Sequence, residues 1–216
     1  MMLVIFDLDG TIVDTINDLA TACNHALQES GFPTHHISTY QFYVGNGVTR
    51  LIERALPSES VNSDTVSAVR NIFMEYYDIH GTDASKPYYG IPELLKQLDA
   101  MEVKLAVASN KYQSAVERIV AKLFPEIPWV AVEGQKANVN AKPDPSVIFE
   151  ILGKCPTPKK DVILVGDSAV DMETARRACI ESVGVTWGFR PESELVAAGA
   201  DHIIHSPAQL LPLIHN

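Results

Sequence analysis

The apolar run Leu3-Val4-Ile5-Phe6 meets Asp7-Leu8-Asp9-Gly10-Thr11 with no polar transition. Five more short apolar runs follow, at Val103–Ala108, Trp129–Val132, Val162–Val165, Ser182–Val185 and Asp201–Ile204. None alternates strictly between apolar and polar, the pattern expected of strands covered on both faces. Helix-period stretches lie between them: Pro92–Ala100, Gln113–Leu123, Pro145–Leu152, Ala169–Ala178 and Glu192–Ala198. Strand alternating with helix predicts crossover connections and a parallel sheet with helices on both sides, an α/β, Rossmann-like architecture.

One region breaks that rhythm. From Thr15 to Lys86 the pattern is helical, with no strand. Thr15-Ile16-Asn17-Asp18 reads as a capping box, in which Thr15 takes a free amide and Asp18 reaches back. The helix it opens runs to Ser30, where Gly31 and Pro33 stop it. Val48–Leu56 and Val61–His80 read as further helices. The expected organisation is a core domain from residues 1–14 and 87–216, with an all-helical domain of residues 15–86 inserted after the first strand.

Composition narrows the function classes. Seventeen basic and 27 acidic residues give a net charge of -10, and no basic run is long enough to hold nucleic acid phosphates. No apolar stretch reaches the eighteen or so residues of a membrane span, and the N-terminus reads as a strand rather than a signal peptide. The three cysteines are widely spaced without a CxxC, as in a reduced, cytoplasmic protein. The expectation is no nucleic acid partner, no membrane, and a monomer or homodimer.

The chemistry lies after the strands. Asp7 and Asp9 follow the first, Ser109-Asn110-Lys111 the second, and Gly166-Asp167-Ser168 with Asp171 the fourth. Lys142-Pro143-Asp144-Pro145 heads the helix before that fourth strand. An open parallel sheet binds its ligands outside the carboxyl ends of its strands, so these groups converge at one edge. Clustered carboxylates without Cys or His suit a hard cation, most simply Mg2+. Lys142 supplies positive charge, and Ser109 with the turn behind it supplies a hydroxyl and amides for an anion. Together they describe phosphoryl transfer. With no GxxxxGK[ST] loop for a nucleotide, a carboxylate is the natural acceptor.

The ordered motifs DLDGT, SNK, KPDP and GDSAVD resemble those of the haloacid dehalogenase-like hydrolases, over nearly the whole chain. The resemblance implies Asp7 as the nucleophile that becomes phosphorylated and Asp9 as the general acid, then base. It implies Ser109 and Asn110 on the phosphoryl oxygens, Lys142 neutralising charge, and Mg2+ held by Asp7, Asp167 and the Asp9 carbonyl, with Asp171 in support. Gly10 lets the chain turn and bring amides to the phosphate, with Thr11 following it as in phosphatases rather than dehalogenases.

The helical insertion resembles the cap of such enzymes, and its stretch Tyr43–Ile52 is similar to the cap segment of phosphoglycolate phosphatases. Gly45, Asn46 and Gly47 are therefore candidate substrate contacts, against a plain helix-entry turn. Arg50 is a candidate grip on a substrate carboxylate, against a surface salt bridge. Asp171 stands between a metal role and a helix-dipole role. Lys111 and Arg190 read as surface charges; Trp187, Tyr88 and Tyr89 read as packing. The implied activity is Mg2+-dependent hydrolysis of a small phosphorylated metabolite such as 2-phosphoglycolate. A β-phosphoglucomutase, a pyrophosphatase, a nucleotidase and, from another class, a non-catalytic phosphate-binding module stay open.

Overall fold

All four residues of the first apolar run are buried, as strand β1 (Leu3–Phe6). Successive strand side chains point to opposite faces. Val4 and Phe6 accordingly join one apolar cluster with Leu105, Val107, Ile163 and Val165. Leu3 and Ile5 join another with Ala106, Ala108 and Leu164. A strand filled between two layers has no room for a polar face, which is why the run does not alternate.

The computed structural model describes residues 2–137 and 139–214, so residues 1, 138 and 215–216 of the expected core segments fall outside it. After β1 the chain runs through β2 (Val13–Asp14), α1 (Ile16–Glu29), α2 (Gly47–Ala55), α3 (Ser63–His80) and β3 (Lys86–Pro87). It continues through α4 (Ile91–Ala100), β4 (Lys104–Tyr112), α5 (Gln113–Leu123), β5 (Trp129–Gln135) and α6 (Ser146–Lys154). It closes with β6 (Val162–Gly166), α7 (Ala169–Ala178), β7 (Glu181–Val185), α8 (Glu192–Ala197) and β8 (His202–Ile204).

Six strands form one sheet in the order β5-β4-β1-β6-β7-β8, and every neighbouring pair is parallel. The chain leaves β1 toward β4 on one side and β6 on the other. Order reverses at β1, and a crevice opens at its carboxyl end. β4 runs four residues beyond the expected Ala108, because pairing with β5 resumes at Tyr112↔Gln135 after a register shift. Ser109, Asn110 and Lys111 therefore stand on a strand rather than in a loop.

The helical insertion has an apolar cluster of its own. Cys23 and Leu27 of α1, Tyr40, Ile52 of α2, and Phe73 and Tyr77 of α3 share it, and Ala115 of α5 joins from the sheet side. Phe73 and Tyr77 stack with centroids 5.3 Å apart. A two-turn 3-10 helical segment at Ile37–Phe42 was not legible in the pattern. Nor were β2 and β3, which pair antiparallel as Val13↔Pro87 and Asp14↔Lys86 where the insertion leaves and rejoins the sheet. Two residues a side, one of them proline, carry no periodicity.

The expected capping box at Thr15 does not form. Thr15 is the N-cap of α1 but its side chain caps nothing; its hydroxyl donates to Asp9 Oδ1 at 2.6 Å. The Asp18 carboxylate instead accepts from Ala84 N at 2.9 Å, Ser85 N at 2.8 Å and Ser85 Oγ at 2.6 Å. Both side chains find donors or acceptors from distant segments in buried surroundings, where such a bond is worth more than a local cap in water. Among the described residues no helix is long and apolar enough to cross a membrane.

Candidate active site

Backbone pairing delivers the first carboxylate. Asp7 N donates to Val165 O at 2.9 Å, which continues the β1–β6 ladder one residue past β1 and sets Asp7 beside the end of β6. Asp167 follows β6 directly. Gly10, at φ +88, lies against it: a Cβ on Gly10 would meet Asp167 Oδ2 at 2.3 Å. The glycine is required for both its left-handed backbone and its close approach.

Lys142 joins three segments. Its ammonium donates to Asp7 Oδ1 at 2.7 Å, Asp171 Oδ1 at 2.7 Å and Ala108 O at 2.8 Å. Asp171 is in turn held by the turn that starts α7, where Ser168 Oγ donates to Asp171 Oδ2 at 2.6 Å and Ser168 N at 3.2 Å. With both its oxygens engaged, Asp171 is suited to orienting Lys142. Burial disfavours the Lys142 ammonium, but Asp171 and Asp7 outweigh that and its net shift is upward.

Asp7, Asp167 and Asp171 are all buried, and ligand oxygens from the three lie within 4.8 Å of one another. Burial pushes the Asp7 carboxyl up to about 7; Lys142 pulls it down, while Asp171 and Asp9 push it further up. Asp167 is held well above the carboxylate range by burial and then by Asp7 and Asp171. Its Oδ2 accepts from Phe189 N at 2.7 Å, and Lys142 does not reach it. Three dry carboxylates thus face one ammonium, an excess of negative charge made only of hard oxygen donors. That donor set fits a divalent cation of the Mg2+ type.

Asp9 stands apart from that cluster. Lys111 Nζ lies 2.9 Å from each of its carboxylate oxygens, and the Lys111 side chain is only 3 % exposed. Burial opposes the charge on Lys111, Asp9 more than offsets it, and the net shift is upward. The ammonium also lies 4.9 Å from the Tyr77 ring centroid, within range of a cation–π contact. The reading of Lys111 as a surface charge is therefore corrected. A lone lysine looks solvated in sequence; its place directly after Ser109-Asn110 was the one available signal.

Asn110 is fully engaged. Its amide donates to Gly45 O at 3.0 Å and Lys142 O at 2.9 Å, and its Oδ1 accepts from Lys142 N at 2.7 Å. With both N–H groups in use, it ties the Lys142 loop and the insertion to β4, and no side-chain donor is left for a phosphoryl oxygen. Ser109 Oγ accepts from Lys111 N at 3.2 Å and remains at the cavity wall.

The cap-side expectations divide. Gly45 and Gly47 line the same cavity as Asp7 and Lys142, and both have left-handed φ, at +107 and +82. Asn46 accepts from Arg54 at 2.8 Å. Arg50 does not line the cavity; its side chain is 66 % exposed and pairs with Glu53 at 2.6 Å, because its place on α2 faces solvent. Thr11 is buried with its carbonyl accepting from Trp187 Nε1 at 2.9 Å. Trp187 and Tyr88 pack against the core, whereas Tyr89 is fully exposed. Arg190, read as a surface charge, lines the cavity and donates to Val44 O at 3.0 Å. The cavity is a partly open cleft of about 50 Å³, room for a few waters at roughly 10–15 Å³ each.

Comparison with known proteins identifies the family. The family model described as haloacid dehalogenase-like hydrolase matches residues 4–185. A phosphoglycolate phosphatase of Vibrio parahaemolyticus is 31% identical over 222 residues, covering 98% of this chain and 95% of the relative. One of Vibrio vulnificus strain CMCP6 is 33% identical over 217 residues, with 98% and 95% covered. Among solved structures, a Lactobacillus delbrueckii subsp. bulgaricus protein provisionally named phosphoglycolate phosphatase superposes with a TM-score of 0.92 at 31% identity, covering 99% of both chains.

Proposed function

The chain belongs to the haloacid dehalogenase-like hydrolases and is a phosphatase, and from that premise we propose that it hydrolyses a small phosphorylated acid, 2-phosphoglycolate foremost, through a phosphorylated Asp7. The observation that carries this reading is the meeting of Asp7 and Asp167 from two strand ends, Asp171 from the first turn of α7 and Lys142 from the loop before α6, in one buried site.

Each group has a task set by its surroundings. An Asp7 oxygen bonds to phosphorus while the bond from phosphorus to the ester oxygen breaks. That oxygen takes the proton carried by Asp9. A water then attacks phosphorus and passes its proton back to Asp9. The bond between Asp7 and phosphorus breaks, releasing inorganic phosphate and restoring both aspartates. Lys111 and the Thr15 hydroxyl hold the Asp9 carboxylate in one place, so both proton transfers pass through a fixed group. Lys142, hydrogen-bonded to Asp7, offsets the charge of that carboxylate before attack and of the phosphoryl oxygens beside it, and Ser109 is available as a hydroxyl donor.

A Mg2+ ion would be held by Asp7 and Asp167 together with the Asp9 carbonyl, with Asp171 in support, and would supply Lewis-acid neutralisation of the phosphoryl charge. The residues 15–86 act as a cap. Asn110 and Arg190 donate to the consecutive carbonyls of Gly45 and Val44, so the cap loop is drawn onto the core at one side of a cleft that stays partly open.

Size favours a small substrate. Pockets for drug-sized ligands run to about 300–1,000 Å³, far above the roughly 50 Å³ of this partly open cleft, which suits a small ester better than a hexose phosphate or nucleotide. Relatives named phosphoglycolate phosphatase support the same choice. The test is phosphate release from 2-phosphoglycolate by purified protein. Chelation should stop turnover and Mg2+ should restore it. Asp7→Asn should remove hydrolysis of a generic aryl phosphate; full activity in that variant would end the mechanism.

A further inference from the structure

Resting on that reading of the substrate as a phosphorylated acid, we infer that Arg190, supplied by the core after β7, is the residue that reads the substrate's carboxylate. An acid group enclosed with the phosphate needs a cation beside it, since an unpaired charge is costly in a dry site. Among the described residues three cations line the cavity: Lys111, Lys142 and Arg190. All three ammonium hydrogens of Lys142 are in use, on Asp7, Asp171 and Ala108 O. Lys111 is spread over both oxygens of Asp9 and lies against the Tyr77 ring.

Arg190 is different. A guanidinium carries five N–H donors, and this one makes a single hydrogen bond among the described residues, to Val44 O. The Glu194 carboxylate stands 3.9 Å from Nε, beyond hydrogen-bond reach, and the side chain is only 15 % exposed. The remaining cavity wall from the insertion is mostly apolar, with Leu19, Val48, Leu51 and Phe73. Arg190 is thus the one cation with donors to spare, and its planar fork suits a carboxylate. Nη2 lies 3.9 Å from where a Gly45 Cβ would stand, so the glycine loop closes directly over it. One donor on the cap carbonyl and others on the acid would let the correct substrate fasten the cap, while a neutral ester would leave the fork unpaired.

The experiment compares 2-phosphoglycolate with 2-hydroxyethyl phosphate, which replaces the carboxylate by a neutral hydroxymethyl group. Wild type, Arg190→Met and Arg190→Lys are assayed on both, with thermal unfolding of each variant. Charged hydrogen bonds of this kind are worth about tenfold to a hundredfold in binding. Arg190→Met should lower kcat/KM for the acid by about that factor more than for the neutral ester, because both substrates share the cost of the lost bond to the Val44 carbonyl and only the acid loses its carboxylate partner. Arg190→Lys should recover part of the acid preference. Equal losses on both substrates would reduce Arg190 to a cap latch and overturn the inference while leaving the substrate reading intact. Wild type that does not prefer the acid would overturn the substrate class and the inference together. Wild type that hydrolyses neither would remove the phosphatase reading itself. Should Arg190→Met fail to fold, Arg190→Lys and Arg190→Gln decide by the same acid-to-neutral ratio.

Discussion

Lys111 Nζ stands 2.9 Å from both carboxylate oxygens of Asp9, with the Tyr77 ring centroid 4.9 Å away. Asp9 follows β1, Lys111 is the last but one residue of β4, and Tyr77 lies on α3 of the insertion, so one ammonium joins Asp9 to both halves of the molecule. On the proposed reading, in which Asp9 transfers the proton and residues 15–86 form the cap, the two are mechanically linked.

Lys111→Met is expected to leave the Asp9 carboxylate without its cation. Removing one partner of a buried pair costs about 3–5 kcal/mol, and the slight exposure of Asp9 places this one near the lower end. The loss should appear as a lower urea midpoint. Turnover of an aryl phosphate should fall about a hundredfold, the scale of misplaced acid–base catalysis. Wild-type turnover in the variant would show that Asp9 is positioned without it.

Asp18→Ala is expected to release the returning end of the insertion. It strips acceptors from Ala84 N, Ser85 N and Ser85 Oγ, and each buried donor left unpaired costs about 1–3 kcal/mol. Hydrogen exchange at the Ala84 and Ser85 amides should accelerate more than at the β1 amides. Asp18→Asn, which keeps one acceptor oxygen, should lose less. Unchanged exchange at those two amides would rule out Asp18 as the hinge clamp.

Gly10→Ala is expected to damage the cation site ahead of the general fold. The new Cβ would stand 2.3 Å from Asp167 Oδ2 and 2.9 Å from the Phe189 ring, at a backbone φ of +88. Displacing Asp167 should weaken Mg2+ binding by about tenfold or more, in line with losses seen when ligand orientation is disturbed. Calorimetric titration with Mg2+ reads this independently of catalysis. An unaltered Mg2+ affinity would show that Asp167 is not a ligand.

Without a divalent ion the protein is expected to lose stability as pH rises. The folded Asp7 carboxyl is pushed up to about 7, mainly by burial, and Asp167 is raised as well. Unfolded carboxyls titrate near 4, so between about pH 4 and 7 the native state binds more protons than the unfolded chain. Stability then falls with rising pH, by up to about 1.4 kcal/mol per pH unit for each such proton. Urea unfolding of chelated protein should give a lower midpoint at pH 8 than at pH 5.5, and Mg2+ should restore most of the difference at pH 8. A flat profile in chelator would mean that the acidic cluster carries no electrostatic burden.

The strands were readable because burial on both faces writes itself into four or five adjacent residues, as in Leu3–Phe6. The helical insertion was readable because its period changes from that of the surrounding segments. The short ribbon of Val13–Asp14 with Lys86–Pro87 was not, since its stability comes from closing the ends of a loop of about seventy residues rather than from any local pattern. Arg50 and Arg190 illustrate the same divide at the site. Both are single arginines near glycines, and nothing within a few positions of either tells which one faces the cavity.

By itself the sequence determined the alternating α/β plan, the helical character of the stretch after the first strand, and the identity of the residues at three strand ends, because period, turn residues and motif order are all local properties. Only the tertiary structure decided which partners those residues take. Lys111 closes on Asp9, Thr15 and Asp18 abandon their local cap for distant groups, Asn110 spends its amide on the cap loop, and Arg190 comes to the cavity wall with donors to spare. A charged side chain in low dielectric is governed by whatever the fold brings within about 3 Å of it, and that distance is set by strand order and crossover, not by neighbours along the chain.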